Sequence, residues 1–240
     1  MEHAASKSAR SDGPRLTLHA GSPERCMVVE FETPQQVTSW AIYNGGTRLS
    51  TRVAWVEVRD AELGLDADPH ALLSERLAAL DVHDAVGMLT SRDLRRHVSR
   101  RVALDGIEAR CIATVGLSNA LRAGDPPAGP RPRPYAGTIN LLCWVSQPLA
   151  QEGSLEGLCL AAEARTVAVF EAGVASGVSG LAASGTGTDC IAFACPSAPT
   201  RTTPSAYAGK HTLVGHLIGA AVHGAVAQAT RAWCAEQEVP

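Results

Sequence analysis

Gly185-Thr186-Gly187-Thr188-Asp189 closes a Gly/Ala/Ser-rich segment and runs straight into the apolar stretch Cys190-Ile-Ala-Phe-Ala-Cys195. A loop of this composition presents backbone N–H groups, two hydroxyls and a carboxylate at the start of a strand. Glycine allows that close approach because it has no Cβ and tolerates positive φ. Three more small-polar clusters adjoin apolar segments: Val115-Gly-Leu-Ser-Asn119, Gly137-Thr-Ile-Asn140 and Ala208-Gly-Lys-His-Thr212. Several such loops at element ends are how a site is mounted on a rigid scaffold.

Within these clusters Asp189 and His211 are the candidates for acid/base work. A histidine at a helix start feels the positive end of the helix dipole, which favours the neutral imidazole and hence a base near neutral pH. Asn119, Asn140, Thr186, Thr188 and Thr212 are the candidate substrate contacts, joined by Glu163 on a helix and by Asn44 in Tyr-Asn-Gly-Gly. Each has a plainer reading beside it. Asp189 is also a good strand-start cap, His211 an exposed helix terminus, Glu163 the partner of a nearby arginine, and Asn44 the first residue of a type I′ turn.

Metal chemistry finds little support. His216 and His223 are seven apart, on one helix face, but no third ligand is spaced to match. The seven cysteines form no C-x-x-C pair and sit mostly in apolar runs, as reduced core residues do. Neither a metal nor a cofactor is expected.

The elements that must position the clusters follow from pattern and punctuation. Strands are expected at 15–19, 26–32, 37–43 and 51–58, antiparallel, with Gly21-Ser-Pro and Asn44-Gly-Gly between runs. Asp68-Pro69 opens a helix carrying Leu72, Leu73, Leu77 and Leu80, and a second helix is expected from Ser91 to about Ser99. Strands return at 107–115, 138–145 and 190–195, with helices over about 155–172 and 210–235. The result is an α+β fold: a mixed, largely antiparallel sheet system, in one sheet or two, with helices on its outer faces. One domain over 15–240 follows a frayed tail over 1–14. The Pro-rich loops 125–135 and 196–207 read as surface insertions or as lids.

The formal net charge of −3 gives no nucleic-acid surface, and the arginines from Arg92 to Arg101 read as an exposed face. No signal-peptide core and no uninterrupted apolar run of about eighteen residues is present, so no membrane partner and a cytoplasmic location are expected. The alanine-rich last helix leaves a homodimer open.

Taken in order, Gly87-Met-Leu-Thr90, Thr114-Val-Gly-Leu-Ser-Asn119, Gly137-Thr-Ile-Asn140, Ala162-Glu-Ala-Arg165, Gly185-Thr-Gly-Thr-Asp189 and Tyr207-Ala-Gly-Lys-His-Thr212 resemble the pattern of the adenosylcobinamide amidohydrolases. The resemblance covers roughly residues 35–230. It implies hydrolysis of the amide that joins aminopropanol to the corrin side chain of adenosylcobinamide, giving adenosylcobyric acid in corrinoid salvage. Two departures stand out: Arg165 where the family often has Lys, and His216 where Glu is common.

Amide hydrolysis needs an activated nucleophile, donors for the tetrahedral oxyanion and a proton for the leaving amine. Under this reading His211, assisted by Asp189, activates water, and the asparagines with the 185–188 loop hold the oxyanion. A covalent alternative starts from Thr138, because Gly-Thr junctions can self-cleave in N-terminal-nucleophile hydrolases, whose paired sheets would suit this element order. A second class of function is a corrinoid carrier without chemistry; the presence of Asp189 and His211 beside the asparagines favours the enzyme.

Overall fold

The computed structural model describes residues 13–19, 25–59, 62–63, 67–127, 137–198 and 203–237. The tail expected over 1–14 lies outside the described residues except for Gly13 and Pro14. So do residues 128–135 of the first Pro-rich loop and 199–202 of the second.

Among the described residues, ten strands and three α-helices follow in the order β1 (Arg15–His19), β2 (Cys26–Ser39), β3 (Gly46–Glu57), α1 (Pro69–Ala79), β4 (Val86–Thr90), β5 (Val98–Leu104), β6 (Ile107–Val115), β7 (Ala120–Leu121), β8 (Ile139–Val145), α2 (Gln151–Glu171), β9 (Gly185–Thr186), β10 (Cys190–Pro196) and α3 (Leu213–Gln237). Eight strands make one sheet in the order β4-β3-β2-β10-β8-β6-β5, with β1 paired on β2; β7 and β9 form a separate two-stranded ribbon. Within the large sheet β3–β4 and β8–β10 are parallel and the other pairs antiparallel. This is the expected α+β class with a mixed, largely antiparallel sheet.

Strand alternation explains how the sheet is covered. In β2 and β3, Met27, Val29, Val53 and Trp55 share one buried cluster with Ile112, Leu142, Trp144, Ala192 and Ala194 of β6, β8 and β10. The two halves of the sheet therefore face each other. The opposite faces are covered by helices: Cys26, Val28, Ala54 and Val56 pack with Leu73 and Leu77 of α1, while Cys111, Leu141, Cys143, Ile191 and Phe193 pack with α2 and α3. Helices thus lie on the outer faces of a folded-over sheet, a four-layer arrangement in which every central strand is buried on both sides.

Local signals mostly act as their chemistry predicts. Asp68 caps α1, accepting from the N–H groups of His70 and Ala71, with Pro69 in the first turn. The strands expected at 26–32 and 37–43 are instead one strand, β2, whose pairing with β3 shifts register between Glu30 and Gln35, around Pro34. The helix expected from Ser91 to Ser99 does not form. Asp93 caps a single 3₁₀ turn, Leu94–Arg96, and the arginines Arg100 and Arg101 lie on β5, an edge strand paired only with β6.

The final helix, expected over about 210–235, is α3. α3 is long and apolar enough to cross a membrane by length and composition, but more than half of that stretch is buried inside the protein. Its buried residues, from Val214 to Thr230, pack on the sheet.

Gly157 of α2 sits where a Cβ would come 2.5–3.0 Å from three ring atoms of Phe193, a fully buried side chain. Helix propensity alone would reward Gly157→Ala by about 1 kcal/mol, but overpacking costs roughly 1–3 kcal/mol. With the ring unable to retreat, the variant is expected to lower the urea midpoint, and a raised midpoint would contradict this packing.

Candidate active site

Where the two halves of the sheet part at one end, they leave a cleft of about 560 Å³. One wall is Trp40 and Ile42, which follow β2, together with Met88–Ser91 at the end of β4. The other is Gly137, Thr138 and Asn140 at the start of β8 and Gly187–Cys190 at the start of β10; Asn119 closes one side, and Val58, Leu63 and Pro69 another. Five of the sequence-selected residues or their loops meet here: Asn119, Asn140, Thr188, Asp189 and the Gly185–Thr188 loop that carries Thr186. The parallel register Cys190↔Asn140 sets the two loops side by side.

Asp189 is heavily engaged. Its carboxylate pairs with Arg165 of α2, accepts from the N–H and hydroxyl of Thr186, and accepts from the N–H of Ile139 at 3.0 Å. The side chains are 7% exposed for Asp189 and 14% for Arg165. A carboxylate with four donors on it is an anchor: it holds the 185–189 loop, the start of β8 and α2 together. This arrangement gives Arg165 a structural partner in the Asp189 carboxylate.

Asn140 is similarly tied. Its amide donates to the Leu89 carbonyl at 2.5 Å, and its side-chain oxygen lies 3.3 Å from the Thr138 hydroxyl. It therefore bridges the two halves of the sheet at the floor of the cleft, fully buried. The Thr138 hydroxyl donates to the Thr188 carbonyl at 2.8 Å, and the Thr188 hydroxyl in turn donates to the Gly137 carbonyl at 3.2 Å. Trp40 is half-exposed, with its indole N–H held on the Asp189 carbonyl at 2.7 Å, and Ile42 beside it on the cleft wall is 54% exposed. The composition signal for this wall was weak, because Trp40 and Ile42 fall inside the strand expected over 37–43, where apolar residues read as core; only Gly87-Met-Leu-Thr90 hinted at the β4 side.

Among the described residues lining this cleft, Asp189 and Cys190 are the only titratable side chains. Burial pushes the Cys190 thiol up to about 11, so it is protonated at neutral pH. No metal-holding group of three or more His, Cys, Asp or Glu residues occurs among the described residues.

The remaining selected residues stand elsewhere. His211, Thr212 and Glu163 line a second, more open cleft of about 450 Å³ between α2 and the segment before α3, with Glu156, Cys159 and Lys210. There Lys210 pairs with Glu163, and Glu156 accepts from the Ala208 N–H at 2.7 Å. His211 and Asp189 are not lining residues of one cleft. Asn44 adopts φ 55°, as a turn requires, and its amide donates to the His83 and Ala85 carbonyls, fixing the loop before β4. His216 is exposed, and His223 pairs with Glu171 at 2.7 Å.

A buried polar floor of amide and hydroxyl groups at strand starts, walled by apolar side chains, is a site built for a small molecule. A family model places the chain more closely: that of the adenosylcobinamide amidohydrolases matches residues 12–238. The chain belongs to this family, and it is a hydrolase acting on amides in corrinoid metabolism. No curated protein matches it. Among solved structures, the L-aminopeptidase D-Ala-esterase/amidase of Ochrobactrum anthropi is 14% identical with a TM-score of 0.40, over 92% of this chain and 83% of that one. The PH0078 protein of Pyrococcus horikoshii OT3 is 11% identical with a TM-score of 0.43, over 93% of this chain and 83% of that one.

Proposed function

We propose that the protein hydrolyses the aminopropanol amide of adenosylcobinamide to adenosylcobyric acid, in the cleft between β4, β8 and β10. The observation that carries the reading is the cleft's polarity: an apolar wall of Trp40, Ile42, Met88 and Leu89 leads to a floor of Asn119, Thr138, Asn140 and Thr188. A corrin is a broad apolar ring fringed by amides. Its face suits the exposed Trp40 and Ile42 at the rim, and one amide-bearing arm suits the polar floor. The Trp40 hydrogen bond to the 189 carbonyl couples that rim to the loop beside the reacting groups.

In this reading Asp189 and Arg165 hold the floor in place and do not move protons. His211, in the other cleft, takes no part in bond cleavage. His211→Ala is expected to keep turnover within a few-fold of the parent enzyme, and a loss beyond about 100-fold, the scale of removing a general base, would return the chemistry to the second cleft.

The test of the function is incubation of the purified protein with adenosylcobinamide in the presence and absence of a chelator, followed by chromatography and mass analysis. Adenosylcobyric acid and free aminopropanol in both are expected. A corrinoid spectral change without product would identify a carrier instead.

A further inference from the structure

We infer that the chain is cut between Gly137 and Thr138, and that the threonine so exposed supplies both nucleophile and base to the cleft. The inference rests on the reading of this cleft as the reacting site, but the cut itself is observable without any corrinoid.

Three observations meet at this peptide bond. First, the Gly137 carbonyl accepts from the Thr188 hydroxyl at 3.2 Å, which polarises it toward attack. Second, the Thr138 hydroxyl faces two acceptors, the Thr188 carbonyl at 2.8 Å and the Asn140 side-chain oxygen at 3.3 Å, which draw its proton. The Asn140 amide is already committed to the Leu89 carbonyl, which keeps its oxygen turned to Thr138. Third, a Cβ at residue 137 would stand 2.7 Å from the Asn119 nitrogen and 2.8–2.9 Å from Ser118 atoms, so only glycine lets the junction lie against those backbone N–H groups. That close packing fixes where the Gly137 backbone lies, while the donor on its carbonyl is the Thr188 hydroxyl.

The cleft also has a missing part that the cut supplies. Hydrolysis needs a base, yet the titratable side chains lining the cleft among the described residues are a carboxylate spent on four donors and a buried, protonated thiol. An α-amine ordinarily titrates near 7.7–8.0, close to working pH, and can activate the hydroxyl of its own threonine.

The maturation step balances as an addition of water. The Thr138 Oγ attacks the Gly137 carbonyl carbon, the C–N bond breaks, and the hydroxyl proton passes to the departing nitrogen, leaving an ester. Water then hydrolyses that ester to a Gly137 carboxylate and a free Thr138 hydroxyl and amine. In turnover the amine takes the hydroxyl proton as Oγ attacks the substrate amide, and returns it to the leaving amine. The acyl ester on Thr138 is then hydrolysed by water.

Intact mass and N-terminal sequencing of the freshly purified full chain test this. The expected result is two fragments, residues 1–137 and 138–240, that stay together on native size exclusion and sum to the uncut mass plus one water. Thr138→Ala is expected to give one uncut chain and Thr138→Ser to be cut; Thr188→Val is expected to slow cutting at least 10-fold. A wild-type preparation that hydrolyses cobinamide as a single uncut chain would overturn the inference while leaving the function in place. Cutting at 137/138 in Thr138→Ala would assign the break to a protease and overturn it equally. Cut protein that leaves cobinamide untouched would uphold the maturation and reject the substrate.

Discussion

Thr138→Ala is expected to abolish hydrolysis of the corrinoid amide, lowering kcat by about 10³-fold or more, the scale on which removal of a covalent nucleophile acts. The methyl and hydroxyl lost are small and Thr138 is 7% exposed, so the variant should fold. Its stability cost is expected to be about 1 kcal/mol, that of one buried hydrogen bond. Binding of adenosylcobinamide, followed by Trp40 fluorescence, is expected to survive because the rim residues are untouched. Thr138→Ser retains a hydroxyl on the same backbone and is expected to keep most of the activity. Equal and modest losses in both variants would instead point to water activated by some other group, with Thr138 merely lining the floor.

The second large effect is on stability. Asp189→Ala removes the partner of a guanidinium that is 14% exposed and frees the N–H groups of Thr186 and Ile139 together. Stranding one member of a buried ion pair costs about 3–5 kcal/mol, because the charge left behind has lost its water without keeping its counter-charge. That is a large share of the 5–15 kcal/mol that holds a typical domain folded. Asp189→Asn is expected to fall only a little short of Asp189→Ala, since a neutral amide would turn its own N–H groups toward donors. Urea unfolding measures both. If Asp189 were a free general base, Asp189→Asn would leave the midpoint nearly unchanged and remove activity alone.

How much of this was legible beforehand depended on whether a residue's role is local. Asp68-Pro69 announces a helix start because capping acts over three residues, and the apolar, β-branched and aromatic runs of β2, β3, β6 and β10 announce strands because each face has its own cluster to fill. β5 carried no such signal. Its residues are mostly exposed, an edge strand with charges on it, so Arg100 and Arg101 looked like a helix face.

The site divides in the same way. The small-polar loops declared themselves by composition, and the structure sets those at 119, 137–140 and 186–189 around one cleft. What could not be read was which loops share a cleft. Asp189 and His211 are 22 positions apart and separated in space by where α2 runs, while the partner that occupies Asp189 is Arg165, on that helix. Trp40 and Ile42 were invisible for the opposite reason: inside the strand expected over 37–43 an apolar residue is core by default, and only folding, which ends β2 at Ser39, shows them standing at a rim.

The most direct measurement is a crystal structure of the protein with adenosylcobyric acid bound. The corrin face is expected against Trp40 and Ile42, with the freed carboxylate within hydrogen-bonding distance of the Thr138 hydroxyl and beside Asn119. A corrin seated instead between α2 and the 207–212 segment, with its carboxylate at His211, would contradict this placement.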